Sequence, residues 1–327
     1  MLKSSVYLPD ELKAELAALA DRWGRSEAEL IRIAIDRLVR AAADEPAPAP
    51  ARQPVPTGPR LVGVGVGPSD PDLVTERAVA VLRSADRVVA AATGPDAIGR
   101  AEAVVRSAVP EVAVDRLVID IGGDAAARRR SVERAAETVL GHLDRGELVA
   151  FAVLGDPNVW TIFPRVVAAV TARRPGVPVE TVPGIMAFQE LAARTGVVLA
   201  DGDEELTLVT LGGDAERLDP LLADPHRGLV VYKGGRVLPE VAAVLDRRGR
   251  LGAAVLGEML GLPGGRSVPV AAAADRPASY LATVVVPPER AGDGAAAAPT
   301  GPAAPTASGA GGTGRGAGRT GGGGEGA

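Results

Sequence analysis

Between residues 60 and 289 short apolar runs alternate with longer stretches in which Ala, Leu and Val recur every three or four positions. The runs RLVGVGV (60–66), RVVAA (87–91), LVAFAV (148–153) and the stretch 177–182 read as strands, most of them buried. Helical spacing predicts helices over 73–85, from Phe163 to about Ala172, and over 187–195. Strand, glycine turn, helix and strand between residues 60 and 91 form a βαβ signature and predict parallel pairing in an α/β fold.

The first 43 residues follow another pattern. KSSVYL (3–8) reads as a short strand halted by Pro9, and Asp10 is placed to cap a helix over 11–23. Leu12, Leu16, Leu19 and Ala20 share one face of that helix, and Gly24 ends it. Ser26 with Glu29 three residues on is a capping box for a second helix, striped by Leu30, Ile31, Ala34, Ile35 and Leu38. A strand and two helices this short cannot bury two apolar faces alone, so a homodimer is expected. Residues 44–59 form a Pro/Ala linker, 60–289 the main domain, and 290–327 a Gly/Ala-rich tail with too little apolar surface to order.

Composition narrows the chemistry. The 327 residues contain no Cys and only two His, His142 and His226, which excludes disulfides, thiolate sites and a His-based metal cluster, so no metal is expected. Both histidines are expected to be solvated. A formal charge of −5 argues against coating nucleic acid through bulk charge. No segment resembles a targeting sequence or approaches the ~18 apolar residues of a spanning helix, so no membrane partner and a cytoplasmic setting are expected. Four of the eight aromatics, Phe151, Trp160, Phe163 and Phe188, fall within 38 residues, predicting packing around a ligand rim or its supporting core.

Three glycine-bearing loops follow predicted strands: GPSDPD (67–72), LGDPN (154–158) and VPGIM (182–186). Strand ends converging on one edge are where open α/β sheets hold ligands. Gly63 and Gly65 begin a dinucleotide fingerprint, but Pro68 stands where its third glycine belongs and removes an amide donor. Asp156 and Asp70 are each placed to cap a turn or helix, or to meet a ligand.

Taken together, GVGPSDPDLVTERAVAVLRSADRVV, LGDPNVWTIF and VPGIMAFQELAARTGVVL resemble the tetrapyrrole (corrin/porphyrin) methylases over residues 60–289. LGDPNVWTIF, PGIMAFQ, DGDEEL and SYLATVVVPP look most like the precorrin-2 C20-methyltransferase subgroup. The segment LPDEL…SEAELIRIAI resembles the ribbon-helix-helix family. These resemblances imply a two-lobed α/β fold with mixed sheets behind a small ribbon-helix-helix module. They also imply S-adenosylmethionine as methyl donor and a tetrapyrrole, precorrin-2, as substrate in cobalamin biosynthesis.

By motif match, Pro68 would line the donor site, Leu154, Gly155, Asp156 and Val159 would contact its methionine and ribose, and Met186 and Ala187 would flank its sulfur and adenosine. Lys233 and the stretch around Ala271 would bound the adenine. Met186 also reads as core filler. Arg128, Arg129 and Arg130 are candidates for the substrate's carboxylates or a solvated helix face. Family behaviour would have Lys3, Ser5 and Tyr7 read DNA bases, although seven basic against nine acidic residues through Glu45 attract phosphate weakly. The alternative function is therefore a DNA-binding regulator whose degenerate methylase domain senses a ligand. Three positions depart from the pattern: Trp160 stands where Tyr is usual, Thr161 and Ile162 replace Ser-Thr, and Ser69 replaces a glycine.

Overall fold

The computed structural model describes residues 7–41, 53–120 and 124–290. The chain divides into two units, Met1–Pro54 and Val55–Ala327.

In the first unit α1 (Asp10–Trp23) and α2 (Glu27–Ala41) pack together and bury Ala20 and Leu30. Pro9, not Asp10, occupies the cap of α1; the Asp10 carboxylate lies in the first turn, where it meets the positive end of the helix dipole. Gly24 closes α1 at φ 59°. Only half of the expected capping box forms: Ser26 Oγ accepts from Glu29 N at 3.3 Å, while the Glu29 carboxylate pairs with Arg25 at 2.9 Å. Ile35 and Leu38 of the predicted apolar side are exposed, as is Val39. Of the predicted strand over 3–8, residues 3–6, Lys3 and Ser5 among them, lie outside the described residues. Tyr7 and Leu8 are not in a strand, and Tyr7 is exposed.

The second unit holds two five-stranded sheets. The first comprises β1 (Arg60–Gly65), β2 (Arg87–Ala92), β3 (Val114–Val118), β4 (Leu148–Val153) and β5 (Val179–Val182), in the order β3-β2-β4-β1-β5. Every pairing in it is parallel, so the expectation of mixed sheets is corrected for this lobe. The βαβ reading has the right direction but not the adjacency, because β4 inserts between β1 and β2. Alternation along β4 explains the insertion: Leu148, Ala150 and Ala152 pack on one face, Val149, Phe151 and Val153 on the other. A strand apolar on both sides belongs in the middle of a covered sheet.

Helices cover both faces. α3 (Glu76–Ser84) and α4 (Arg100–Ala108) supply Val81, Leu82, Val104 and Val105 to one. On the other, α5 (Ala125–Asp144) and α6 (Phe163–Arg173) supply Val139, Leu143, Val166 and Val170. The helix expected over 73–85 is interrupted. Asp70 caps a single 3-10 turn, Pro71–Leu73, and α3 starts afresh where Thr75 Oγ1 accepts from Ala78 N at 3.1 Å.

α7 (Ala187–Thr195) leaves the first sheet and covers the second, placing Phe188 and Leu191 against Val230, Val255 and Val285. That sheet comprises β6 (Glu205–Thr210), β7 (Arg227–Tyr232), β8 (Val255–Glu258), β9 (Arg266–Pro269) and β10 (Thr283–Val286), ordered β6-β7-β10-β8-β9. It is mixed, with only β6 and β7 parallel. α8 (Leu238–Arg247) buries Val241 and Leu245 on its far face.

The described chain continues past the expected end of the domain. Glu289 N donates to Pro225 O at 2.8 Å, and Arg290 pairs with Glu204 at 2.6 Å. Residues 291–327 of the predicted tail and 44–52 of the predicted linker lie outside the described residues; 53–59 form neither helix nor strand. Among the described residues no helix is long and apolar enough to cross a membrane. His142 is not solvated as expected: largely buried, it places Nδ1 2.6 Å from Glu147 Oε2. His226 is exposed.

Candidate active site

A cavity of about 850 Å³ opens at the C-terminal edge of the first sheet and is closed by the ends of β7 and β8 and by residues 280–283. Small-molecule sites span roughly 300–1,000 Å³, so this cavity is at the large end of that range.

Gly155 lines the cavity and rests on a backbone junction: Gly65 ends β1, Gly155 follows β4 and Gly184 follows β5, and at Gly65 and Gly184 no side chain fits. A Cβ on Gly65 would lie 2.5 Å from Gly155 O, and one on Gly184 only 2.1 Å from the same oxygen. Gly155 N donates to Gly67 O at 2.8 Å. The paired glycines that mimic a dinucleotide fingerprint therefore serve packing, since a Cβ on Gly63 would strike the Phe163 ring at 2.6 Å.

Asp156 joins the second loop to the third. Its Oδ1 accepts from Asn158 N at 2.9 Å and its Oδ2 from Gly184 N at 3.2 Å. Both carboxylate oxygens thus already hold backbone amides, which makes the turn-capping role the observed one. Pro68, Leu154, Gly155, Asp156, Val159, Met186, Ala187 and Lys233 all line the cavity. Met186 does so from the N-cap of α7 while also packing partly against the core. Ala271 does not line it: the turn Val270–Ala272 leaves Ala271 exposed, and 280–283 stand at the wall instead. Asp70 faces away, 3.8 Å from Arg194.

One wall is cationic. Arg100 at the start of α4, Arg128 in α5 and Arg165 in α6 all line the cavity. Arg100 and Arg165 form no ion pair with a carboxylate among the described residues. Of the predicted run only Arg128 reaches the wall; Arg129 and Arg130 are exposed because helical spacing turns them outward. Buried Glu102 fixes this wall by accepting two bonds from Arg116, at 2.7 and 2.9 Å, while Arg116 also holds Pro95 O. The Arg116 guanidinium keeps the Glu102 carboxyl below the usual carboxylate range despite its burial. Arg100 and Arg165 belong to no motif, so nothing in the sequence marked them.

The rim carries aromatic side chains. Trp160, half-exposed, meets Tyr232 edge-on, with centroids 5.3 Å apart and planes at 63°. Tyr232 Oη accepts from Phe188 N at 3.3 Å, and burial pushes its phenol up to about 12. Tyr232 went unnoticed although it adjoins Lys233 in VVYKGG. Of the four clustered aromatics only Trp160 lines the cavity. Phe151 and Phe163 pack edge-to-face in the core, and Phe188 is buried under the second sheet. Among the described residues the non-glycine residues at positive φ are Ser69 (136°), Trp160 (51°), Lys233 (58°) and Met259 (50°), and all four line this cavity. No group of His, Cys, Asp and Glu able to hold a metal occurs among the described residues.

Two α/β lobes line one cavity at a parallel sheet's C-terminal edge, the place where proteins of this class hold small molecules. Residues 60–274 match the tetrapyrrole (corrin/porphyrin) methylases, and the chain belongs to that family. Residues 5–42 match the ribbon-helix-helix proteins of the copG family. A precorrin-2 C(20)-methyltransferase of Sinorhizobium sp is 32% identical over 237 residues, 70% of this chain and 95% of that protein. An S-adenosyl-L-methionine-dependent uroporphyrinogen III methyltransferase of Arabidopsis thaliana is 31% identical over 57% of this chain and 49% of its own length. The crystal structure of a cobalt precorrin-4 methyltransferase shares the fold, with a TM-score of 0.51 at 21% identity over 70% of this chain and 94% of that one.

Proposed function

We propose that the chain transfers a methyl group from S-adenosylmethionine to C20 of precorrin-2. The observation that carries this is a cavity with a wall bearing Arg100, Arg128 and Arg165. A polycarboxylate acceptor needs such guanidinium groups for its periphery. The methylase match and the near full-length likeness to the Sinorhizobium enzyme select this family's chemistry.

The donor supplies an activated methyl on a sulfonium, so the protein's share is positioning. Pro68, Leu154, Gly155 and Val159 form the part of the cavity proposed for the donor, with Met186 beside Gly155 and Ala187 next along the chain. Asp156 acts through Gly184, holding the second and third loops in register. Lys233 adds a positive charge on the second lobe's side. Incubation of the purified full chain with methyl-labelled donor and precorrin-2, without oxygen, should yield one labelled methyl per macrocycle, at C20. Donor binding with no methylated product overturns the proposal.

The match of residues 5–42 supports a second reading, a regulator that binds DNA as a homodimer. Lys3, Ser5 and Tyr7 would face the bases, and the exposed Ile35 and Leu38 would face a second copy. Absence of any retardation of its own promoter DNA at low salt would leave this module as a dimeriser alone.

A further inference from the structure

Every described non-glycine residue with left-handed backbone lies around one cavity, and three of the four, Trp160, Lys233 and Met259, carry long or bulky side chains. Such conformations persist where the surroundings over-determine them, and they cluster at ligand clamps. Trp160 is the largest. Among the described residues no hydrogen bond holds its side chain; the Tyr232 ring does, and the Phe188 amide fixes that ring in turn. The chain of contacts runs from the first lobe to the second, and the indole still keeps 43% of its surface exposed.

Two cations line the same cavity. Arg165 follows Trp160 by five residues on the first lobe, and Lys233 adjoins Tyr232 on the second. An exposed indole in a cavity that cations also line suits a flat conjugated ring with carboxylates at its edge. The donor's flat ring, adenine, bears no carboxylate at its edge; its one carboxylate sits on a flexible aliphatic chain.

We propose that Trp160, buttressed by Tyr232, is the wall on which the acceptor's ring rests, and that it determines which macrocycle the site accepts. The inference rests on the methyl-transfer reading and adds to it a residue that selects the acceptor. Removing the ring should weaken the acceptor alone. Removing the side chain also relieves the backbone, so loss of folding is not the expected cause of any effect.

The test uses the full chain and two probes, S-adenosylhomocysteine by calorimetry and precorrin-2 by anaerobic absorbance titration. W160G should weaken precorrin-2 by about tenfold or more while leaving S-adenosylhomocysteine within about threefold and the melting temperature undiminished. W160F should keep both ligands within about threefold of the original chain. If W160G binds precorrin-2 as the original chain does, or loses both ligands together, Trp160 is not the acceptor wall. If the original chain takes S-adenosylhomocysteine but no precorrin-2, the acceptor assignment falls together with the proposed function.

Discussion

Gly65, Gly155 and Gly184 form a backbone floor on which three loops meet, only Gly155 of them lining the cavity, whereas around the cavity rim Ser69, Trp160, Lys233 and Met259 hold left-handed backbone with side chains attached. The floor gains close approach by omitting Cβ atoms, at an entropic cost borne by the unfolded chain. The rim keeps its side chains against an unfavourable backbone, at about 1–3 kcal/mol per residue. Stability is therefore expected to fall when side chains are added below and to rise when they are removed above.

The largest effect should come from G184A, whose Cβ would lie 2.1 Å from Gly155 O. Backbone cannot swing aside as a side chain can, so a loss of about 4 kcal/mol or more is expected. A urea midpoint equal to that of the original chain would remove the distinction between floor and rim. D156A comes next. It leaves the Asn158 and Gly184 amides without their charged acceptor and should cost about 2 kcal/mol. S69G should act in the opposite direction, raising the melting temperature with a net gain of about 1 kcal/mol after the added unfolded-state entropy. A destabilised S69G would show that the first loop depends on its hydroxyl.

The smallest effect concerns Tyr232. Its phenol is raised to about 12, so the folded chain keeps this proton after the unfolded chain, near about 10, has lost it. The contribution is full below about pH 10 and disappears as pH rises towards 12. Y232F should lose about 1 kcal/mol at neutral pH, having left the Phe188 amide unpaired. The original chain loses more than this across the alkaline range, so the variant should draw level and then become the more stable, as followed by circular dichroism.

What could be read in advance divides along similar lines. Features written into consecutive residues were legible: the LVAFAV strand, the Ala187–Thr195 helix, Gly24 at a helix end, and the loops carrying Pro68, Gly155 and Met186. Features that depend on distant chain were not. The insertion of β4 between β1 and β2 is set by which strand is apolar on both faces. Arg100 and Arg165 reach the wall only because two helices begin at the same sheet edge. The sequence leaves Asp156 open between turn cap and ligand contact, because the amide of Gly184 that it holds lies 28 residues away. The second lobe was least legible, since its short strands pair antiparallel across residues 255–286 with no loop motif to order them.

The strand order also bears on how the molecule comes to exist on the ribosome. β1 pairs only with β4 and β5, and Arg60 lies opposite Leu148. The first apolar strand to be synthesised must therefore wait for 88 more residues before meeting a neighbour. At ~5–20 residues per second this is roughly 4–18 s. During that interval RLVGVG is an exposed sticky segment, and non-local parallel pairing of this kind is intrinsically slow. Nascent-chain survival, more than the strength of the finished sheet, is where this topology makes its demand.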